Sequence, residues 1–207
     1  MAAKSQSKTK HVQTERVWLR AWLIAGILAL LACAHLLTLS NGHAQDLPSE
    51  YQVKSAYLFN FLKFVQWPDD AFQDPLAPIV MGIVGDDPFG EALPQVVVGK
   101  TVQGRDLVIR KYHAGEDLRG SHILFISASE KKRLPQILAS LRGSSVLTVA
   151  DMDHFVESGG MIQFLIEDGR VRFAIDGGAA SLARLKISSK LLSLARTVTA
   201  AERGGNN

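Results

Sequence analysis

The distribution of apolar and polar residues predicts a helix over residues 51–67. Apolar side chains recur there at spacings of three and four, and polar side chains interrupt them, as in a helix that packs one face on a core. Pro68 disfavours helical backbone at Trp67, so the helix should end at that residue. A helical pattern also covers residues 89–98, although Pro94 lies inside it. The pattern thus predicts two helices in the first half of the chain.

Continuous apolar runs predict three buried strands, at residues 79–84, 122–126 and 146–149. A helix that opens within residues 127–130 and runs through Leu141 separates the last two strands, with Ser127 or Ser129 as its N-cap. Short strands are expected near residues 100–102 and 107–110. Strand, helix and strand in this order favour a parallel sheet with helices on its faces.

The pattern changes to a hairpin after the third buried strand. Residues 161–167 and 170–175 are joined by Asp168-Gly169, a dipeptide typical of a two-residue hairpin turn. One or two helices should close the chain over residues 182–196, and the tail 204–207 should be disordered. The predicted fold is a single-domain α/β three-layer sandwich. Its mainly parallel sheet carries an antiparallel edge hairpin, residues 161–175, and a C-terminal helix follows.

Residues 1–44 have the organisation of an export signal. A polar, basic start is followed by the apolar residues 21–39. Small residues precede a cleavage point after Ala44, so we expect a cleaved signal peptide and an exported domain over residues 45–203. An uncleaved membrane anchor and a lipoprotein modified at Cys33 are the alternatives.

The positive charge of the chain comes from this leader. The 207 residues include 23 basic and 20 acidic side chains. Without residues 1–44, 18 basic and 19 acidic side chains remain, so the charge balance gives no reason to expect nucleic-acid binding. The single cysteine also lies in the leader. The exported domain therefore has no disulfide and must be held together by its core.

Polar residues follow each of the three buried strands. Ligands bind beyond the carboxyl ends of the strands in an open parallel sheet. This rule makes Asp86, Ser127 and Asp151 ligand-binding candidates, although turn formation and helix capping explain the same residues. Asp151, Asp153 and His154 are too few to predict a metal site, and the sequence has no nucleophile or phosphate-loop motif. We therefore expect no catalytic residue, metal or cofactor.

A second ligand candidate lies near the C-terminus. Ser188 can cap the helix that follows it, and Lys186 lies two residues before it. Arg172 should lie on the opposite face of its strand from its two apolar neighbours. Arg172, Lys186 and Ser188 could together bind a small anion such as a carboxylate or a phosphate. Simple capping by Ser188 and a solvated Arg172 are the alternatives.

The first helix resembles the opening motif of the YfiR family of bacterial periplasmic proteins. The matching residues are Lys54, Tyr57, Asn60, Phe61, Phe64, Trp67 and Pro68. Further matches follow in the family's order at residues 159–162, 171–176 and 185–192, so the resemblance covers residues 51–196. Asp176 departs from the family, whose members usually have Asn there. The following Gly177-Gly178 predicts a loose link where members start a helix.

The resemblance implies a non-enzymatic periplasmic regulator. Such a protein binds the periplasmic part of an inner-membrane diguanylate cyclase, holds it inactive, and is released through an OmpA-like outer-membrane lipoprotein. Cyclic di-GMP output and biofilm formation depend on that cyclase. The interface needs exposed aromatic surface, for which the candidates are Tyr57, Phe59, Phe61, Phe64 and Trp67. Core packing is the alternative role of these residues, and Phe59 lies off the main apolar stripe.

A small-molecule sensor that acts with a membrane-bound histidine kinase is the alternative function. Its ligand would lie at the strand ends or beside Lys186 and Ser188. A homodimer is a further alternative for the exposed surface.

Overall fold

The computed structural model describes residues 48–196 of the chain. The proposed signal peptide, residues 1–44, and the tail, residues 204–207, lie outside the described residues. No helix within residues 48–196 is long and apolar enough to cross a bilayer.

Five α-helices and nine strands make up the described domain. The helices are α1 (Glu50–Phe64), α2 (Ala92–Val97), α3 (Leu134–Ser140), α4 (Gly177–Leu182) and α5 (Ser189–Leu194). The strands are β1 (Val65–Gln66), β2 (Ile79–Val84), β3 (Thr101–Val102), β4 (Arg105–Tyr112), β5 (Ile123–Ile126), β6 (Leu147–Ala150), β7 (Ile162–Glu167), β8 (Arg170–Ile175) and β9 (Lys186–Ile187). Short 3-10 helices cover Asp69–Ala71, Leu118–Gly120 and Ala128–Arg133.

Seven of these strands form one sheet in the order β3-β4-β2-β5-β6-β7-β8. The pairs β4–β2, β2–β5, β5–β6 and β6–β7 are parallel, and β7–β8 and β3–β4 are antiparallel. Asp168 and Gly169 make the β7–β8 turn with φ of 50° and 69°, because a two-residue turn of this kind needs positive φ at both positions. The predicted α/β fold, its mainly parallel sheet and its antiparallel edge hairpin are confirmed.

Helices cover both faces of the sheet because the central strands are apolar on both sides. On β5, Ile123 and Phe125 belong to the core under α1, while Leu124 and Ile126 belong to the core under α3. The first core also takes side chains from α2 and α5, and the second is completed by the segment that follows β6. This alternation produces the three layers.

α1 begins and ends differently from the sequence prediction. Ser49 and Gln52 form a reciprocal capping box, so the helix starts at Glu50. The helix ends at Phe64 rather than at Trp67, because residues 65–66 pair with β9 in a separate two-stranded antiparallel ladder. The pattern of residues 65–67 fits a helix equally well, and the ladder depends on a partner about 120 residues away in sequence.

Three other helices also depart from their predicted bounds. The helix expected over residues 89–98 is shortened to α2, with Pro94 in its first turn. The helix expected to open within residues 127–130 begins as a 3-10 helix, and α3 starts beside Pro135. The expected loose link at Gly177 is instead the first turn of α4, because the Asp176 carboxylate accepts hydrogen bonds from the amides of Gly178 and Ala179.

Candidate functional site

The five aromatic residues proposed for a partner surface divide into two groups. Phe61 and Trp67 are buried, at 0% and 8% exposure. Phe61 lies 5.2 Å from the Phe173 ring, and the Trp67 indole donates a hydrogen bond to the backbone carbonyl of His122 at 3.1 Å. These two residues therefore hold α1 and the segment after it on the sheet. The structure gives neither of them a free surface for a partner.

The other three aromatic residues are half-buried. Tyr57 packs edge-on against Phe173, with 5.3 Å between ring centroids. Phe59 and Phe64 each lie near a lysine, with the Lys63 ammonium 4.1 Å from the centre of the Phe59 ring and the Lys190 ammonium 5.6 Å from that of Phe64. Lysine beside an aromatic face is a favourable electrostatic pair. Phe59 and Phe64 thus combine a partly exposed ring with positive charge, and we call Phe59, Lys63, Phe64 and Lys190 the basic aromatic surface.

Of the strand-end candidates, Ser127 is used within the protein through its hydroxyl, and Asp86 is exposed and is used through its backbone amide. The amide of Asp86 donates to the Ser129 hydroxyl at 2.9 Å, and the Ser127 hydroxyl caps the 3-10 helix by accepting from the Ser129 amide. Gly85, with φ of 88°, lets the loops approach closely, since a Cβ there would collide with Ser129. The loops after β2 and β5 are therefore joined by a hydrogen bond between them.

The third strand-end candidate, Asp151, accepts two hydrogen bonds from α1. The Lys54 ammonium lies 2.7 Å from its carboxylate, and the Tyr51 hydroxyl lies 3.0 Å from it. Lys54 also pairs with Glu50 at 2.5 Å, and its side chain is only 3% exposed. Burial, reinforced by the hydrogen bond and the negative charge of Asp151, raises the pKa of Tyr51 to about 12. The cluster thus fixes the N-terminal half of α1 to the end of β6.

This cluster lines a cavity of about 500 Å³. The cavity walls include Glu167 and Arg196, which form an ion pair at the other side, and the aromatic ring of Phe164. Lys54 and Tyr51 were not predicted as site residues. The helical spacing could have indicated Lys54, because it lies four residues before the buried Leu58 and seven before Phe61. A lysine at this position falls on the buried side of α1 and needs a partner.

The C-terminal candidates are only partly brought together. Lys186 and Ser188 line a second cavity, of about 200 Å³, together with Lys63 and Phe64. Arg172 lies on the edge strand β8, is exposed, and is not part of that cavity wall. Ser188 also has the capping role considered from sequence, since its hydroxyl accepts from the Leu191 amide at 3.2 Å.

His122 is a buried titratable residue at the start of β5. Its Nδ1 accepts from the Val80 amide at 3.0 Å, and its ring stacks on Phe72 with 4.5 Å between centroids. Its Nε2 is buried and makes no hydrogen bond of good geometry with the residues that the structure describes, although the ring interacts with the Ala71 backbone. Burial lowers the pKa of His122, the Ala71 backbone opposes this shift, and the nearby Arg105 reinforces it. A neutral imidazole therefore suits this position.

Within residues 48–196, no group of three or more His, Cys, Asp or Glu side chains is placed to hold a metal ion. A family model described as YfiR/HmsC-like matches residues 51–196, almost the whole of the described domain. The chain belongs to the YfiR/HmsC-like family. This family is known as regulatory rather than catalytic, and membership is consistent with a periplasmic regulator of cyclic di-GMP signalling. A search of curated proteins finds no similar sequence.

The structure explains most of the YfiR-like motif of α1 by folding. Lys54 binds Asp151, Tyr57 and Phe61 pack on the β7–β8 hairpin, and Trp67 binds the His122 carbonyl. Phe59 is not part of the motif and is partly exposed. The motif residues therefore hold the first helix of this YfiR/HmsC-like domain on the sheet. The outer side of that helix does not take part in these contacts.

Proposed function

We propose that this YfiR/HmsC-like protein is a non-enzymatic periplasmic regulator that binds the periplasmic part of an inner-membrane diguanylate cyclase and holds it inactive. Family membership supports the link to cyclic di-GMP signalling. Loss of this protein would then release the cyclase. The same proposal assigns the release step to an OmpA-like outer-membrane lipoprotein.

The observation that carries the proposal is the outward side of α1. The core and the Asp151 cluster use Lys54, Phe61 and Trp67, whereas Phe59 packs partly against the core and keeps a smaller part of its surface exposed beside Lys63. Aromatic residues contribute disproportionately to binding at the centres of protein interfaces. A lysine stacked on such a ring adds charge that can select an acidic partner. The basic aromatic surface is therefore our candidate contact with the cyclase.

Export through residues 1–44 is part of the proposal. The polar, basic start and the apolar residues 21–39 support a signal peptide, with the periplasmic chain starting at Gln45. N-terminal sequencing of the protein recovered from the periplasmic fraction tests this directly. A start at Gln45 is expected, whereas a chain that stays in the membrane fraction with its leader intact would indicate an anchor.

A genetic experiment tests the function. The gene is deleted in its own bacterium, and cyclic di-GMP is measured after complementation with the wild-type chain, Phe59→Ala or Val108→Ala. Val108 serves as the control because it is an apolar residue on β4 that is more exposed than Phe59, at 44%, and lies away from α1 in sequence. Deletion should raise cyclic di-GMP, the wild type and Val108→Ala should lower it again, and Phe59→Ala should not. Unchanged cyclic di-GMP after deletion would contradict the proposal.

A small-molecule sensor acting with a histidine kinase is the second candidate. The cavity of about 500 Å³ beside Lys54 and Asp151 favours it, because a cavity at the carboxyl end of a parallel strand is a common ligand position. Affinity purification from solubilised membranes separates the two functions. Recovery of a cyclase favours the regulator, and recovery of a histidine kinase favours the sensor.

A further inference from the structure

Three lysines without an acidic partner lie near one another at the C-terminal end of α1. Lys63 is in the last turn of α1, Lys186 is in β9, and Lys190 is in α5. No carboxylate among residues 48–196 lies within 4.0 Å of their ammonium groups, although seven such ion pairs exist elsewhere in this part of the chain. Like charges placed together repel one another unless a counter-charge is present.

The β1–β9 ladder brings two of these lysines, Lys63 and Lys186, to one cavity. Gln66 lies directly opposite Lys186 in the ladder, and the Ser188 amide donates to the Phe64 carbonyl at 2.9 Å. Directly opposed residues of an antiparallel pair project on the same face. The resulting cavity of about 200 Å³ is lined by Lys63, Phe64, Gln66, Gln103, Lys186, Ile187 and Ser188. Its wall contains no acidic residue.

The neutral polar groups of the wall can donate hydrogen bonds. Gln103 has a φ of 55° in the β3–β4 turn, and its side-chain amide reaches the Val65 carbonyl at 3.2 Å, which holds it against β1. The Ser188 hydroxyl oxygen accepts from the Leu191 amide, so its own proton is available to donate. Ammonium, amide and hydroxyl donors with no carboxylate are a donor set that suits an oxyanion.

Two aromatic rings restrict where the lysines lie. The Lys63 ammonium is 4.1 Å from the centre of the Phe59 ring, and the Lys190 ammonium is 5.6 Å from that of Phe64, which itself lines the cavity. These contacts keep positive charge beside the cavity in the absence of an acidic partner. The arrangement differs from scattered surface lysines, because two lysines and three neutral polar side chains line one opening, and Lys190 lies beside its Phe64 wall.

We propose that this cavity binds a phosphate group, carried either by a small phosphomonoester or by an anionic phospholipid headgroup. Several ammonium groups match the multiple negative charge of a phosphate better than the single charge of a carboxylate. The cavity of about 200 Å³ leaves room for the phosphate and a small organic part. This assignment does not depend on which membrane protein is the partner.

Phosphate titration of the periplasmic protein, purified after expression of the full chain, tests the proposal. Backbone amide NMR shifts are followed as sodium phosphate is added, against sodium chloride at matched ionic strength. Saturable shifts are expected at Phe64, Ile187 and Ser188 with phosphate and not with chloride. The double variant Lys63→Gln/Lys186→Gln should weaken phosphate binding by about tenfold or more.

A second double variant serves as the control. Lys131→Gln/Lys132→Gln removes two exposed lysines from the 3-10 helix before α3 and should bind phosphate like the wild type. Shifts that do not saturate, that chloride reproduces, or that Lys63→Gln/Lys186→Gln leaves unchanged would overturn the proposal. Both double variants should keep the wild-type NMR dispersion, because none of the four lysines forms an ion pair within the described residues.

Two further measurements distinguish the sources of the phosphate group. Glycerol 3-phosphate replaces inorganic phosphate in the titration, and sedimentation is measured with vesicles of phosphatidylglycerol and of phosphatidylcholine. Binding to the phosphomonoester alone assigns a small soluble ligand. Sedimentation with phosphatidylglycerol vesicles that Lys63→Gln/Lys186→Gln abolishes assigns a lipid headgroup. Binding to neither probe would overturn the proposal.

Discussion

The lysines at the two ends of α1 lie in opposite environments. At the N-terminal end, Lys54 is buried and held by the carboxylates of Glu50 and Asp151 at 2.5 and 2.7 Å. At the C-terminal end, Lys63 is exposed and has no carboxylate within ion-pairing distance among the described residues. A buried charge must be paired because its desolvation is expensive, whereas an exposed one is available to a ligand or partner. Lys54 therefore holds the helix on the sheet, and we propose that the Lys63 end of the helix serves recognition.

Removing the buried carboxylate should have the largest effect on stability. Asp151→Ala leaves the Lys54 ammonium buried with only Glu50 beside it, and Tyr51 loses its acceptor. Breaking a buried ion pair in this way destabilises by about 3–5 kcal/mol, which urea unfolding measures. Replacing both charges by apolar residues, Lys54→Met with Asp151→Leu, should recover most of that loss. An Asp151→Ala domain as stable as the wild type would show that Lys54 is not held structurally.

Two aromatic residues of α1 allow the same comparison, between a buried and a more exposed position, with uncharged side chains. Phe61 is fully buried between the β7 and β8 rings, so Phe61→Ala should destabilise by about 3–5 kcal/mol. Phe59→Ala should destabilise less than Phe61→Ala, by about 1–2 kcal/mol, because the Phe59 ring is only partly buried against the core. Thermal and urea unfolding of both variants measure this. Equal losses from the two substitutions would place Phe59 in the core and remove it from the partner surface.

Acid should weaken the structured region through His122. Burial lowers its pKa below the usual 6.5, so the unfolded chain binds a proton before the folded domain does. The stabilisation is complete above about pH 6.5 and is lost as the pH falls through the lowered pKa of the folded state. His122→Asn keeps an acceptor for the Val80 amide and cannot titrate. The loss of unfolding free energy between about pH 7 and pH 5 should be smaller in this variant, and an identical loss would exclude His122 as its cause.

The smallest effect on stability is expected at the exposed end of α1. Lys63→Gln and Lys186→Gln should each change the free energy of unfolding by no more than about 0.5 kcal/mol, because neither lysine forms an ion pair within the described residues. Urea unfolding at low and high salt measures this. A destabilisation as large as that of Asp151→Ala would show that these lysines also serve the fold, and the contrast between the two ends would fail.

Local sequence signals predicted the elements that depend on local chemistry. The Asp168-Gly169 turn and the apolar runs of β2, β5 and β6 specify their conformation within a few residues. The β1–β9 ladder was missed, since its two-residue strands carry no period and form only when the ends of the domain meet. The α4 start at Gly177 was missed because the cap provided by Asp176 outweighs the low helix propensity of glycine.

The same limit applied to the candidate sites, where neighbours in the chain were predicted and distant partners were missed. Sequence reasoning placed Lys186 beside Ser188, which are neighbours in the chain, but it joined Arg172 to them, and the structure places Arg172 outside that cavity wall. It nominated Asp151 without its partner, because Lys54 is 97 residues away in sequence. The contribution of Lys63 to the second cavity likewise depends on the long-range ladder. Site residues that are close in sequence could therefore be predicted, whereas contacts between residues far apart in sequence became known only from the fold.

Photo-crosslinking in living cells tests the central claim, that the outer side of α1 contacts a membrane cyclase, most directly. A benzophenone amino acid is placed at position 59, and at position 108 on β4 as a control that is more exposed to solvent. Irradiation should link position 59, and not position 108, to an inner-membrane protein that carries a diguanylate cyclase domain. Crosslinking of the cyclase from position 108 alone, or of no cyclase from position 59 in a folded and exported protein, would contradict the account.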